Sequence, residues 1–130
     1  MLQHPQTAEL MKLAGALPEL IRALDAEIEK IAGRMAELDS AGLIYATEHW
    51  RKGSDGNPKY FYLLYPQQPG EPRRREYVGC DTAKIEDARA GIQRAKEYDE
   101  LAAHMAALAG RVQRVQGALC DACRYMSGSY

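Results

Sequence analysis

The sequence has little of what membrane proteins, secreted scaffolds and common catalytic sites require. No apolar run approaches the ~18–20 residues that span a bilayer, so no membrane segment is expected. Met1-Leu2-Gln3-His4-Pro5 has no basic stretch followed by an apolar one, which argues against a secretory leader. Cysteine is limited to three residues, an odd number without a regular framework, and this fits a reducing, cytoplasmic compartment better than a stapled secreted domain. A glycine-rich phosphate loop, a GxSxG elbow and an HExxH pair are all missing, so the expectation is a protein that is not an enzyme and has no cofactor. Excess charge of one sign is also missing. A net charge of −1 counts against a dedicated nucleic-acid binder, whose domain would usually be basic.

What is present describes a folded chain. With 46% hydrophobic and 27% charged residues, disorder is not the default, and 130 residues suffice for a single domain, 1–130. Charge and aromatic residues are unevenly spread. Residues 8–39 carry seven acids against four bases, whereas residues 51–77 carry six bases against three acids. Seven of the ten aromatic residues (Tyr45, Trp50, Tyr60, Phe61, Tyr62, Tyr65 and Tyr77) fall in or beside that basic middle. An aromatic and basic insert therefore separates two helix-like ends.

Leu10, Leu17, Leu24, Ile31 and Leu38 recur every seven residues, with Leu13, Leu20 and Met35 near the intermediate positions. This is a heptad seam and predicts a helical segment over about 7–39, with a kink or break near Pro18. From Leu43 to Arg51 the pattern turns β-branched and aromatic, and it ends at Lys52-Gly53-Ser54-Asp55-Gly56-Asn57-Pro58, a strand followed by a turn. Lys59–Tyr65 reads as a second strand, apolar or aromatic on both faces as a central strand would be, and Arg73–Val78 as a third. Asp81 or Thr82 then caps a helix over 82–126, whose seam includes Leu108, Val112, Val115 and Leu119. The expected fold is α+β and mainly α: two long, coiled-coil-like helical segments flanking a small three-stranded antiparallel meander over 43–78.

Two helices touching along one line cannot enclose a core. A homodimer is therefore expected, with Leu24 and Ile31 of the first helical segment joining the second helix's residues in a four-helix seam.

Gly42-Leu43-Ile44-Tyr45, Tyr60-Phe61-Tyr62-Leu63-x-Tyr65, Arg73-Arg74-Arg75-x-Tyr77-Val78-Gly79 and the helix opening at Ile85-Glu86-Asp87-Ala88-Arg89 resemble a group of short bacterial proteins found among the accessory genes of phages, plasmids and transposons. The likeness covers under half of the chain and departs in lacking a cysteine-containing segment ahead of the hairpin. Its motifs are structural, so it implies no activity. It implies a mobile-element setting, in which small proteins bind nucleic acid or obstruct a host complex.

Arg51, Lys52, Lys59, Arg73, Arg74 and Arg75 would place six cations around the sheet, with Trp50 and Tyr62 as anchors, residue types that favour interfaces. Docking on a protein or nucleoprotein target, such as a host defence complex blocked in the manner of an anti-CRISPR inhibitor, is one use. Direct DNA or RNA binding, with Trp50, Tyr60 and Tyr62 stacked on unpaired bases, is another. The bland reading is a solvated edge strand guarded by charge, its rings packed as core. Strand alternation also separates Arg74 from Arg73 and Arg75. In a third reading the helices are the binding surface and the sheet only caps a structural coiled coil. Cys120-Asp121-Ala122-Cys123 is a lone CxxC, without a second pair and without histidines at ligand spacing, so it reads as seam filler and no metal is expected.

Overall fold

The computed structural model describes residues 3–129. In chain order it contains α1 (Pro5–Ala41), β1 (Thr47–Lys52), β2 (Pro58–Leu64), β3 (Arg75–Gly79) and α2 (Thr82–Met126). The architecture is α+β and mainly α, with two long helices flanking an antiparallel three-stranded sheet of order β1-β2-β3. No helix is long and apolar enough to cross a membrane.

The helix ends follow from local chemistry. Pro5 occupies the first helical position, where its missing N–H costs nothing, and the His4 carbonyl accepts from both Ala8 N–H and Thr7 Oγ1 at 3.0 Å. Gly42 closes α1 with a left-handed φ of +107°, donating to the Leu38 and Asp39 carbonyls. Asp81 caps α2: its carboxylate accepts Ala83 N–H and its carbonyl accepts Ile85 N–H, each at 3.0 Å. At the far end Gly128 (φ +81°) donates to Tyr125 and Ser129 donates to Arg124, the paired bonds of a Schellman cap.

Two sequence expectations are corrected. The break near Pro18 does not occur, since α1 runs through it without interruption. Proline removes one backbone bond and crowds the carbonyl four residues earlier, at a cost of about 3 kcal/mol. That carbonyl belongs to Ala14, in the small Ala14-Gly15-Ala16 stretch, and the rest of a 37-residue helix carries the turn across. The strands are also displaced. β1 starts at Thr47 rather than Leu43, because Ile44 N–H donates to the Gly91 carbonyl of α2 at 3.1 Å and holds residues 43–46 on the helix, outside the sheet. β3 starts at Arg75 rather than Arg73, leaving two arginines in the preceding loop.

Contacts divide the chain into two compact units, one formed by Met35–His104 and the other by the described residues up to Arg34 together with those from Met105 onward. The first unit holds the sheet and its core. Phe61 and Leu63 of β2 are buried with Ala88 and Ile92 of α2, and Ile44, Ala46, Tyr65, Val78 and Ile85 pack around them. Gly91 permits this closeness: a Cβ there would lie 2.5 Å from the Ile44 side chain. Arg94 donates to the Gly42 carbonyl at 2.7 Å, tying the end of α1 to α2 within the same unit.

The second unit consists of two helical arms. Ile31 and Leu108 are buried, whereas Leu17, Leu24, Val112, Val115 and Leu119 are half-buried. Leu17, Leu20, Ile21 and Leu24 of α1 face Val115 and Arg111 of α2 across a cleft of about 360 Å³. A single pair of helices covers one stripe only, and Leu10, Leu13, Leu20 and Ile21 remain 49–63% exposed.

Candidate functional site

The outer face of the sheet is built by strand register. Arg51 lies opposite Tyr60, His49 opposite Tyr62, and Tyr62 opposite Tyr77, so these five residues share the face turned away from Phe61 and Leu63. Arg75, two residues before Tyr77 on β3, falls on the same face by alternation. The rings form a row across all three strands: Tyr60 and Tyr77 have centroids 6.5 Å apart, Tyr77 and Tyr62 5.0 Å, Tyr62 and His49 6.1 Å. Irregular pairing between Arg51 and Lys52 brings Lys52 in as well. Arg51, Lys52, Tyr60, Tyr62 and Tyr77 line one shallow cleft of about 300 Å³.

Acids are directed elsewhere. Glu48 lies opposite Leu63 and accepts from Arg89 of α2 at 2.7 Å, and Glu76 lies opposite Leu63 on the other side, accepting from the Tyr65 hydroxyl at 3.2 Å. No strand position on the outer face carries a carboxylate. Asp55 sits in the β1–β2 turn, where the Asn57 N–H at 3.0 Å holds its carboxyl below the ordinary range.

The eight residues singled out from the sequence do not form one group. Arg51, Lys52, Arg75 and Tyr62 come together on the outer face. Trp50 lies on the opposite face, its ring 4.9 Å from Phe61 and edge-on to it; Lys59 lines a separate cleft with Trp50 while its ammonium lies 5.6 Å from the centre of the Tyr60 ring. Arg73 donates to the Tyr65 carbonyl at 3.1 Å, and Arg74 stacks on the Tyr65 ring at 4.3 Å, so these two organise the loop into β3. Tyr77, 56% exposed at the centre of the ring row, is absent from the sequence-based choice. Its signal was the spacing Arg75-x-Tyr77, which on a strand places both side chains on one face.

Two further clefts flank the sheet. One of about 590 Å³ runs beside Glu48 and Arg89, and one of about 450 Å³ lies near Tyr45 and Asp99, where the Tyr45 hydroxyl donates to Asp99 at 2.9 Å. Desolvation, then that hydrogen bond, push the Tyr45 phenol above its ordinary value. Among the described residues no cluster of three or more His, Cys, Asp or Glu is placed to hold a metal. Cys80, Cys120 and Cys123 are free thiols exposed on the single chain.

No family model matches the chain, and comparison with curated proteins and with solved structures likewise returns no match.

Proposed function

We propose that the protein is a non-catalytic binding protein that docks, through the outer face of its sheet, on a target carrying exposed nucleic acid. The observation that supports this is the composition of that face: Arg51, Lys52 and Arg75 around a row of four rings, with no carboxylate at the strand positions that point outward. The overall charge of −1 does not oppose it, because the acids lie on the two helices, in the loops and on the inner side of the sheet, while the cations of the outer face are local. The resemblance to accessory proteins of mobile elements adds a setting, in which the target is a host or element-encoded nucleoprotein, a defence complex being one form.

Cations that meet phosphates release counterions, so affinity falls with salt in proportion to the number of contacts. With three cations engaged on a single strand, log K should fall with log salt at a slope of about −2. Titration of fluorescent DNA and RNA over a salt series tests the reading, and alanine at Arg51, Lys52 and Arg75 should flatten the slope. Absence of binding at low salt would remove it.

Self-association belongs to the same proposal. Leu10, Leu13, Leu20 and Ile21 are exposed on the apolar side of α1, and the helix of a second copy supplies the apolar surface that a two-helix arm lacks. Ile31 and Leu108 are already buried within one chain, so the surface offered to a second copy lies farther out along α1.

A further inference from the structure

We infer that the ligand of the outer sheet face is an unpaired polynucleotide strand, whose bases stack on Tyr77 and Tyr62 while Arg51, Lys52 and Arg75 hold its phosphates. This rests on the proposed function and names the form of nucleic acid the face takes.

A tyrosine kept only for stability should bury its ring, and the inner face already has Phe61 for that, fully buried, with Trp50 against it. Tyr77 leaves 56% of its surface to solvent, and Tyr60 and Tyr62 are half-buried. Cross-strand ring pairs account for some of this arrangement. They do not account for three cations at the margin of the row.

A duplex hides its base faces inside the stack and presents phosphates along its grooves, so it would engage the cations and leave the rings idle. An unpaired strand presents both, since every base has a π face and every linkage a charge. Ring centroids 5.0–6.5 Å apart form a continuous track, and the cleft of about 300 Å³ beside it is bounded by Arg51 and Lys52, so ring and cation are available to neighbouring parts of one nucleotide chain. The absence of carboxylates on this face supplies the charge complementarity.

The test is equilibrium binding of the full chain to labelled oligo(dT), oligo(U) and a mixed-sequence DNA duplex over the same series of salt concentrations, beginning low, with Tyr77→Leu, Tyr62→Leu and Tyr77→Phe beside the wild type. Thermal unfolding of each variant is followed in parallel. Single strands should bind at least tenfold more tightly than duplex. Tyr77→Leu should lower single-strand affinity about tenfold without changing the salt slope, since one stacked base is worth roughly 1–3 kcal/mol. Tyr77→Phe should restore most of the loss, and duplex affinity should be indifferent to all three. Tyr77 lies on an edge strand and is largely exposed, so its variants stay informative if Tyr62→Leu on the central strand fails to fold. A preference for oligo(U) over oligo(dT) would assign the strand to RNA and the reverse to DNA. Equal affinity for duplex, or a folded Tyr77→Leu protein with unchanged single-strand affinity, would overturn the inference while leaving phosphate docking in place. No binding to any oligonucleotide at low salt would instead overturn the proposed function on which it rests.

Discussion

The two units of the chain solve the same problem differently. Around the sheet, α2 presents Ala88 and Ile92 to a strand that places Phe61 and Leu63 against them, and the resulting core is closed within one chain. In the arms, each helix has one apolar stripe and one neighbour, so coverage is complete only at Ile31 and Leu108. A sheet face is wide enough to be covered by a single helix crossing it. A helix pair has no comparable enclosure, and leucine on its flanks stays wet until further helices arrive.

That contrast has a direct mechanical test. Phe61→Ala removes a fully buried ring from the closed unit and should cost about 3–5 kcal/mol in chemical unfolding, independent of protein concentration. The pair Leu13→Asp and Leu20→Asp changes residues that are 60% and 63% exposed, so the fold of one chain should lose little. Its effect should show in sedimentation, as loss of the proposed dimer and of any concentration dependence in the unfolding midpoint. A wild-type protein that sediments as a monomer at every accessible concentration would leave the open arm without a second copy.

Glycine substitutions divide the units more finely. In an exposed helix interior, alanine is favoured over glycine by about 1 kcal/mol. Gly15 and Gly117, both in the arms, have open space where a Cβ would go, so Gly15→Ala and Gly117→Ala should raise stability by up to that amount. Gly91→Ala meets the Ile44 side chain at 2.5 and 2.7 Å, and overpacking of this kind costs about 1–3 kcal/mol. The steric term is the larger, so the sign should reverse, and differential scanning calorimetry of the three variants would show it. A stabilised Gly91→Ala protein would mean that residues 43–46 can lift from α2 without loss.

How far the sequence is legible follows the range of the interactions involved. The heptad spacing and Asp81 as a cap are local, and the helices end within a few residues of where those signals place them. Pro18 misleads because its penalty is local while helix propagation is cooperative along the chain. The apolar run Leu43-Ile44-Tyr45-Ala46 reads as strand, yet its partner is Gly91, some fifty residues away, and periodicity carries no such information. The candidate site is legible in composition and hidden in register. Six cations and several rings are evident in the sequence. The pairing of Trp50 with Phe61 and of His49 with Tyr62 decides which of them share a face, and it depends on the turn and on the irregularity at Arg51/Lys52.

The smallest expected effect concerns two tyrosines of the closed unit that hydrogen-bond carboxylates. Tyr45 donates to Asp99 and Tyr65 to Glu76, and in both desolvation, followed by the hydrogen bond, raises the phenol above its ordinary value; at Tyr65 the Arg74 cation opposes the rise. A phenol raised in the folded state contributes stability that is fully present below the unfolded value of about 10 and is lost as pH climbs through the folded one. The stability difference between wild type and the double variant Tyr45→Phe, Tyr65→Phe should therefore be constant from neutrality to about pH 10 and move against the wild type above it. Both hydroxyls are near the surface, where water screens the interaction, so the change should be modest. Urea unfolding at intervals from pH 8 to about 11.5 would measure it. Parallel curves over that whole range would mean that neither hydrogen bond persists in solution, and that the closure of this unit rests on its apolar core alone.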